Sequence, residues 1–231
     1  MAESKRVVIT GAAGALGAAV AHAFATSGAK LGLIDRAADS KGLFKDLIAP
    51  SFFLGGVDLT QAADAQRAMD TVVAKLGGID ALVNIAGGFR WETIGDGHVE
   101  TWDFLYSINL KTALCACKAA LAHLPSGRGR IVNVGAAAAA KAGTGMGAYA
   151  ASKAGVARLT EALAEELKDK SVNVNAVLPT IIDTPANRAE MPQADFSRWV
   201  DPAALADVIL FLTSSAARAI TGASILVAGR V

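Results

Sequence analysis

Tyr149 and Lys153 stand four apart in Ala148-Tyr149-Ala150-Ala151-Ser152-Lys153. On a helix this spacing puts both side chains on one face, about 5–6 Å apart at Cβ. A phenol and an ammonium so held make a proton donor, and the cation is expected to draw the phenol below its usual pKa of about 10. The pair gains meaning from a turn at the other end of the chain, Thr10-Gly11-Ala12-Ala13-Gly14-Ala15-Leu16-Gly17. Small residues between a strand and a helix let a pyrophosphate approach the backbone and rest on the helix N-terminus. Asp35 closes the next strand, where a carboxylate accepts ribose hydroxyls and repels a 2′-phosphate. That points to NAD(H). Arg36 beside it can pair with a phosphate, so NADP(H) stays open.

The elements that would position these groups alternate along the chain. Strands are predicted at Arg6–Thr10, Leu31–Ile34, Phe52–Leu54, Ile79–Val83, Arg130–Val134, Ser171–Leu178 and Ser224–Val227. Helices are predicted at Leu16–Ser27, from an N-cap at Thr60 to Leu76, over Trp102–Leu124 as one or two pieces, at Ala148–Lys168, and from Asp201-Pro202 to Thr213. A looser helical stretch is predicted near Gly42–Ile48. Repeated βα units with nearly unbroken apolar strands imply a parallel sheet covered on both faces. The expectation is one α/β domain over residues 1–231, a doubly wound, mostly seven-stranded sheet of the Rossmann type. The small-residue run Ala136–Ala140 reads as backbone that lets something flat come close.

Composition narrows the classes of function. Of 231 residues, 53% are hydrophobic, which suits one sizeable domain. Twenty-two basic and 21 acidic residues leave a net charge of +1, with no footprint for nucleic acid. No apolar run reaches a membrane span, and Met1-Ala2-Glu3-Ser4-Lys5-Arg6 leads straight into a strand without a signal-peptide core. Cys115 and Cys117, two apart in a helical pattern, suit neither a disulfide nor zinc, and read as thiols of a reducing compartment. His22, His98 and His123 lack metal-ligand spacing, so no metal is expected. A cytoplasmic protein acting on a small molecule, without membrane or nucleic-acid partners, is the expectation.

Together the motifs resemble the short-chain dehydrogenase/reductase family over essentially the whole chain. The turn is similar to that family's Thr-Gly-x-x-x-(Gly/Ala)-x-Gly; within it Gly11, Ala13, Gly14, Ala15, Leu16 and Gly17 are implied as cofactor contacts. Asp58-Leu59 resembles its adenine-contacting pair, and Asn84-Ile85-Ala86-Gly87 its Asn-Asn-Ala-Gly, with Ile85 for the second Asn. The resemblance thus implies cofactor contacts at Asn84, Ala86 and Gly87. Asn109 matches the helix Asn that holds a relay water, and Tyr149 and Lys153 match the catalytic pair, which also touches the cofactor. Pro179, Thr180, Ile182 and Thr184 fall where the family binds the nicotinamide carboxamide, with Thr180 at a usual Gly. Thr221-Gly222 and Gly229 match its C-terminal pattern. The resemblance implies a homodimer through Ala148–Leu167, or a homotetramer with the help of the last strand.

One position departs. The family's catalytic Ser, thirteen residues before the Tyr, is here Ala136. Losing such a donor costs about 10²–10³ in rate on an ordinary carbonyl. Thr144 and Ser152 are nearby in sequence as substitutes. A narrower resemblance accounts for the gap. Residues 176–199, with Asp183-Thr184-Pro185-Ala186-Asn187-Arg188 and Met191-Pro192, resemble the dihydropteridine reductase subfamily, which keeps the Tyr and Lys without the Ser. Ala86-Gly87-Gly88-Phe89 and Gly143-Thr144-Gly145-Met146 are similar to the same subfamily. It implies NADH-dependent reduction of a quinonoid dihydropterin or similar activated heterocycle. Competing expectations are a general alcohol dehydrogenase or ketone reductase, 3-oxoacyl substrates included, and a cofactor-binding regulator without turnover. Phe89, Trp91, Met146 and Trp199 are candidates to sandwich a flat ring, against ordinary packing. Residues 185–200 read as a lid over the substrate.

Overall fold

The computed structural model describes residues 4–231; Met1, Ala2 and Glu3, which open the expected leaderless N-terminal stretch, lie outside the described residues. Seven parallel strands form one sheet in the order β3-β2-β1-β4-β5-β6-β7. They are β1 Arg6–Thr10, β2 Lys30–Ile34, β3 Ser51–Leu54, β4 Ala81–Asn84, β5 Arg130–Val134, β6 Asn173–Pro179 and β7 Ser224–Val227. Between them run α1 Ala15–Thr26, α2 Ala62–Leu76, α3 Val99–Leu105, α4 Thr112–Ala120, α5 Gly147–Leu167, α6 Pro185–Glu190 and α7 Pro202–Thr213.

Alternate residues of each central strand enter opposite cores, because strand side chains alternate in direction. Val7, Ile9, Val132 and Val134 join Val20, Phe24, Leu205 and Ile209 of α1 and α7 on one face. Val8, Leu82 and Ile131 join Met69 of α2, Ala116 of α4 and Leu163 of α5 on the other. Each fully buried large side chain contributes about 1.5–3 kcal/mol. The strand order reverses between β1 and β4, so a crevice opens beyond their C-terminal ends, where such sheets take ligands.

Three local readings need correction. Residues 42–48 form turns rather than a helix, because Gly42 takes a left-handed φ of 76° and Lys41 a φ of 50°. Gln61, not Thr60, is the N-cap of α2; the Thr60 hydroxyl and amide both go to Asp58 Oδ1, at 2.7 and 3.0 Å. The stretch Trp102–Leu124 is one run from Val99 in which Tyr106–Lys111 is a π-helical turn, with Asn109 buried inside it. Such turns insert a residue into the helical register and are frequent at functional sites.

Candidate active site

The β1–α1 turn is built around backbone. Asp35 accepts from the amides of Ala13 and Ala37, both at 2.9 Å, which fixes the turn against the end of β2. Gly14 caps α1 with no side-chain hydrogen bond, and no acidic residue sits in the first turn. The amides of Ala15, Leu16 and Gly17 therefore begin a helix whose positive end carries no built-in anion. A Cβ at Gly17 would collide with the backbone of Gly11 and Ala12, so only glycine packs there. This is a cradle that fits the pyrophosphate of a dinucleotide. Arg36 is exposed, while Leu59 is buried under the α2 face. Asp58 lies beside them with its carboxyl held below the usual range by the two Thr60 hydrogen bonds.

The β4 end reaches across from the other side of the crevice. The Thr10 hydroxyl accepts from the amides of Ile85 and Ala86 at 3.1 and 3.3 Å, joining β1 to the β4 loop. Ile85 packs against the α1–α7 core, which explains an apolar residue there. A Cβ at Gly87 would collide with Asn109 Oδ1, so a larger residue there would have to displace the Asn109 side chain. Asn84 donates to Asn133 Oδ1 at 2.9 Å and to Cys117 Sγ at 3.2 Å. Asn133 continues to the Thr160 hydroxyl at 2.9 Å, which donates on to Val156 O at 2.8 Å. This buried polar ladder spans the sheet from β4 to α5. Cys117 within it is pushed up to about 12 by burial, so it stays a neutral thiol.

Tyr149 and Lys153 sit on the first turns of α5, as the spacing requires. Lys153 is buried and donates to Val134 O at 2.9 Å. Its ammonium lies 5.9 Å from the Tyr149 ring centroid. Burial lowers Lys153 to about 8 and raises Tyr149 to about 12. The expected depression of the phenol is therefore overturned: loss of water around a half-buried phenol outweighs a cation at this distance, itself discouraged from being charged. Asn109 does not face open solvent. Its Oδ1 accepts from Gly88 N at 2.9 Å, and its Nδ2 donates to Gly88 O at 3.1 Å and Ser152 Oγ at 3.0 Å.

Ala136 is buried at the end of β5, followed by a short 3₁₀ turn over Ala137–Ala139. Neither sequence neighbour replaces its missing hydroxyl in this structure. Ser152 is buried and engaged with Asn109 and with Tyr149 O at 2.7 Å, and Thr144 is exposed in its loop.

The segment after β6 is tied down by hydrogen bonds from its own side chains. Thr180 donates its hydroxyl to Ala228 O at 2.7 Å, a bond the usual Gly cannot make. Thr184 caps α6 by accepting from Asn187 N at 3.2 Å, with Pro185 behind it, and Asn187 Nδ2 donates to Ile182 O at 2.7 Å. Ile182 pairs with Val200 as an isolated bridge, so residues 185–200 leave and return at one point. Arg188 pairs with Asp183 and stacks over Phe196, whose ring meets Trp199 at 4.8 Å. Of the four flat-ring candidates, Trp199 is buried in this packing. Phe89 meets Tyr149 edge-on at 4.9 Å, Trp91 lies over Gly145, and Met146 caps α5. Phe89 thus touches the Tyr149 ring, while Trp91 and Met146 border the loop that leads into α5, together with Ile94 and Trp102 near Gly147, two residues with no site role in the sequence pattern. The usable sign in the sequence was Ile94, an apolar residue set in a Gly-rich loop, and the structure leaves it 81% exposed. Among the described residues no three His, Cys, Asp or Glu side chains stand close enough to hold a metal ion, and no helix is long and apolar enough to cross a membrane.

Comparison with known proteins agrees with this fold. The family model described as short chain dehydrogenase matches residues 5–195. D-threitol dehydrogenase of Mycolicibacterium smegmatis is 34% identical, over 98% of this chain and 92% of its own. A 3-oxoacyl-[acyl-carrier-protein] reductase of Vibrio cholerae is 31% identical, over 98% and 97%. Among solved structures, a blue fluorescent protein from a metagenomic library, in complex with NADPH, superposes with a TM-score of 0.88 at 29% identity, covering 97% of this chain and 96% of that one.

Proposed function

The chain belongs to the short chain dehydrogenase family and is an NAD(P)-dependent oxidoreductase; from that premise we propose that it uses NADH to reduce a flat, electron-poor conjugated acceptor, with a quinonoid dihydropterin as the leading candidate. The observation that carries this reading is Ala136, which leaves no hydroxyl to polarise a carbonyl beside Tyr149. An acceptor already activated by conjugation loses least from that absence. When bound, the cofactor supplies the hydride. Gly11, Ala13, Gly14, Ala15, Leu16 and Gly17 would hold its pyrophosphate, Asp35 its ribose, Asp58 and Leu59 its adenine side, and Asn84, Ala86 and Gly87 the floor beneath it. Pro179, Thr180, Ile182 and Thr184 would hold its carboxamide end. Asp35 favours NAD(H), since its carboxylate repels a 2′-phosphate.

Tyr149 carries its proton at neutral pH, as a phenol of ordinary pKa about 10 already does, and burial pushes it further up to about 12; the proton is there to be donated during reduction. Lys153 would bind the ribose hydroxyls of the cofactor and orient the site, and Asn109 would order the proton route. Phe89, Trp91 and Met146 give the acceptor apolar faces, with residues 185–200 as the lid. The neutral balance of charge suits a small-molecule enzyme of the cytoplasm, with a dimer through α5 and a tetramer through β7.

A second reading, a ketone or alcohol substrate, is favoured by relatives named for a polyol and an oxoacyl group. The test is loss of NADH absorbance with freshly generated quinonoid dihydropterin, for the wild type, Tyr149→Phe and Ala136→Ser. Wild-type turnover that drops at least 10²-fold in Tyr149→Phe supports the first reading. No pterin turnover, with a gain of about 10² on ketones in Ala136→Ser, establishes the second.

A further inference from the structure

The backbone and the ring of Tyr149 are both referred to one buried carboxamide. Asn109 is 1% exposed and Ser152 is 4% exposed. Both hydrogens of Asn109 Nδ2 are used, one on Gly88 O and one on Ser152 Oγ, while Oδ1 takes the Gly88 amide. Ser152 in turn donates to Tyr149 O. The next residue after Gly88 is Phe89, whose ring abuts the Tyr149 ring edge-on. The contacts close on themselves: Tyr149 carbonyl, Ser152, Asn109, Gly88, Phe89, Tyr149 ring. A side chain with this inventory filled can adopt only one orientation, so each bond fixes the next.

We propose that Ser152 is a positioning residue, and that Ser152, Asn109 and Phe89 form a clamp that holds the Tyr149 phenol in its sheltered pose. The hydroxyl does not touch the acceptor. It couples the π-helical turn before α4 to the first turn of α5, and the loop at Gly88 to both. The role assigned to the phenol rests on the function proposed above; the clamp itself does not need a substrate to be seen.

The test uses the chain's two tyrosines. Tyr106→Phe, at an exposed position, leaves Tyr149 as the single phenol. Nitration by tetranitromethane, followed by mass and by nitrotyrosine absorbance, then reads how sheltered that phenol is. Ser152→Ala in this background is expected to nitrate about tenfold faster, and Ser152→Thr, which keeps the hydroxyl, to stay slow. Phe89→Ala opens the clamp from its exposed side and is expected to act like Ser152→Ala, which also covers a Ser152 variant that fails to fold. Val20→Ala, in the α1 core, controls for lost stability and is expected to nitrate at the parent rate. Unchanged nitration in both Ser152→Ala and Phe89→Ala, or equal acceleration in Val20→Ala, overturns the clamp. Once a substrate is in hand, Ser152→Ala is expected to lower kcat about tenfold at unchanged NADH Kd. A clamp seen by nitration in a protein that turns over no pterin would fault the substrate reading alone.

Discussion

Lys153 is a cation that burial works against. Its pKa falls from 10.5 when unfolded to about 8 in the fold. Between those values the unfolded chain binds more protons than the native one, so stability rises as pH climbs through that window. Below about 8 the cost of burying the charge is felt in full. The shift corresponds to roughly 3 kcal/mol. Tyr149 acts in the opposite sense: with its pKa raised from 10.0 to about 12, stability is lost as pH rises above 10. Denaturant unfolding across mildly alkaline pH is expected to show the rise for the wild type and a flatter line for Lys153→Met. The identity of Tyr149, Lys153 and the missing hydroxyl at Ala136 was legible in the sequence, because each is a matter of residue type at a spacing. The direction of the phenol's pKa was not. It depends on how much water Phe89 and the α5 surroundings remove, and that is set by packing between segments far apart in the chain. The same holds for Asn109, whose partner Ser152 is 43 residues away.

At the level of elements, the β1–α1 turn has the least tolerance. Gly17→Ala would drive a methyl into the Gly11 carbonyl and Ala12, so the turn must open or the helix must shift. The expected outcome is loss of NADH binding by calorimetry together with a lower Tm, whereas Ala15→Ser at an exposed position of the same turn leaves Tm unchanged. Strand positions followed from hydrophobic runs, and β1, β5 and β7 have the predicted bounds. The π-helical turn escaped because one inserted residue barely disturbs an apolar period over Trp102–Leu124. Helix α6 escaped because six residues carry too little periodicity; its cap, Thr184 followed by Pro185, was the usable sign. The false helix near Gly42–Ile48 came from apolar residues, Leu43, Phe44, Leu47 and Ile48, that a turn displays in another way.

Across the whole molecule, the parallel seven-stranded sheet and the two-sided core follow from alternating βα units, which leave few other arrangements. Away from the Tyr149 loops, the exposed large apolar side chains include Leu226 on β7, Phe211 on α7 and Leu114 on α4. Sedimentation is expected to give a multiple of the 23.5 kDa chain, and Leu226→Glu with Phe211→Glu to lower that multiple while leaving the fold intact. Assembly is an implication of the resemblance alone, since no sequence period marks an exposed apolar face as self-complementary. The three tryptophans have a further use. Trp91 lies over Gly145, Trp102 by Gly147, and Trp199 beside the Ile182–Val200 bridge. Two of the indoles thus border the loop that leads into Tyr149, and native emission is expected to serve as a label-free monitor of occupancy. Energy transfer from these indoles to a reduced nicotinamide would make each binding step visible as quenching, before any reaction has been identified.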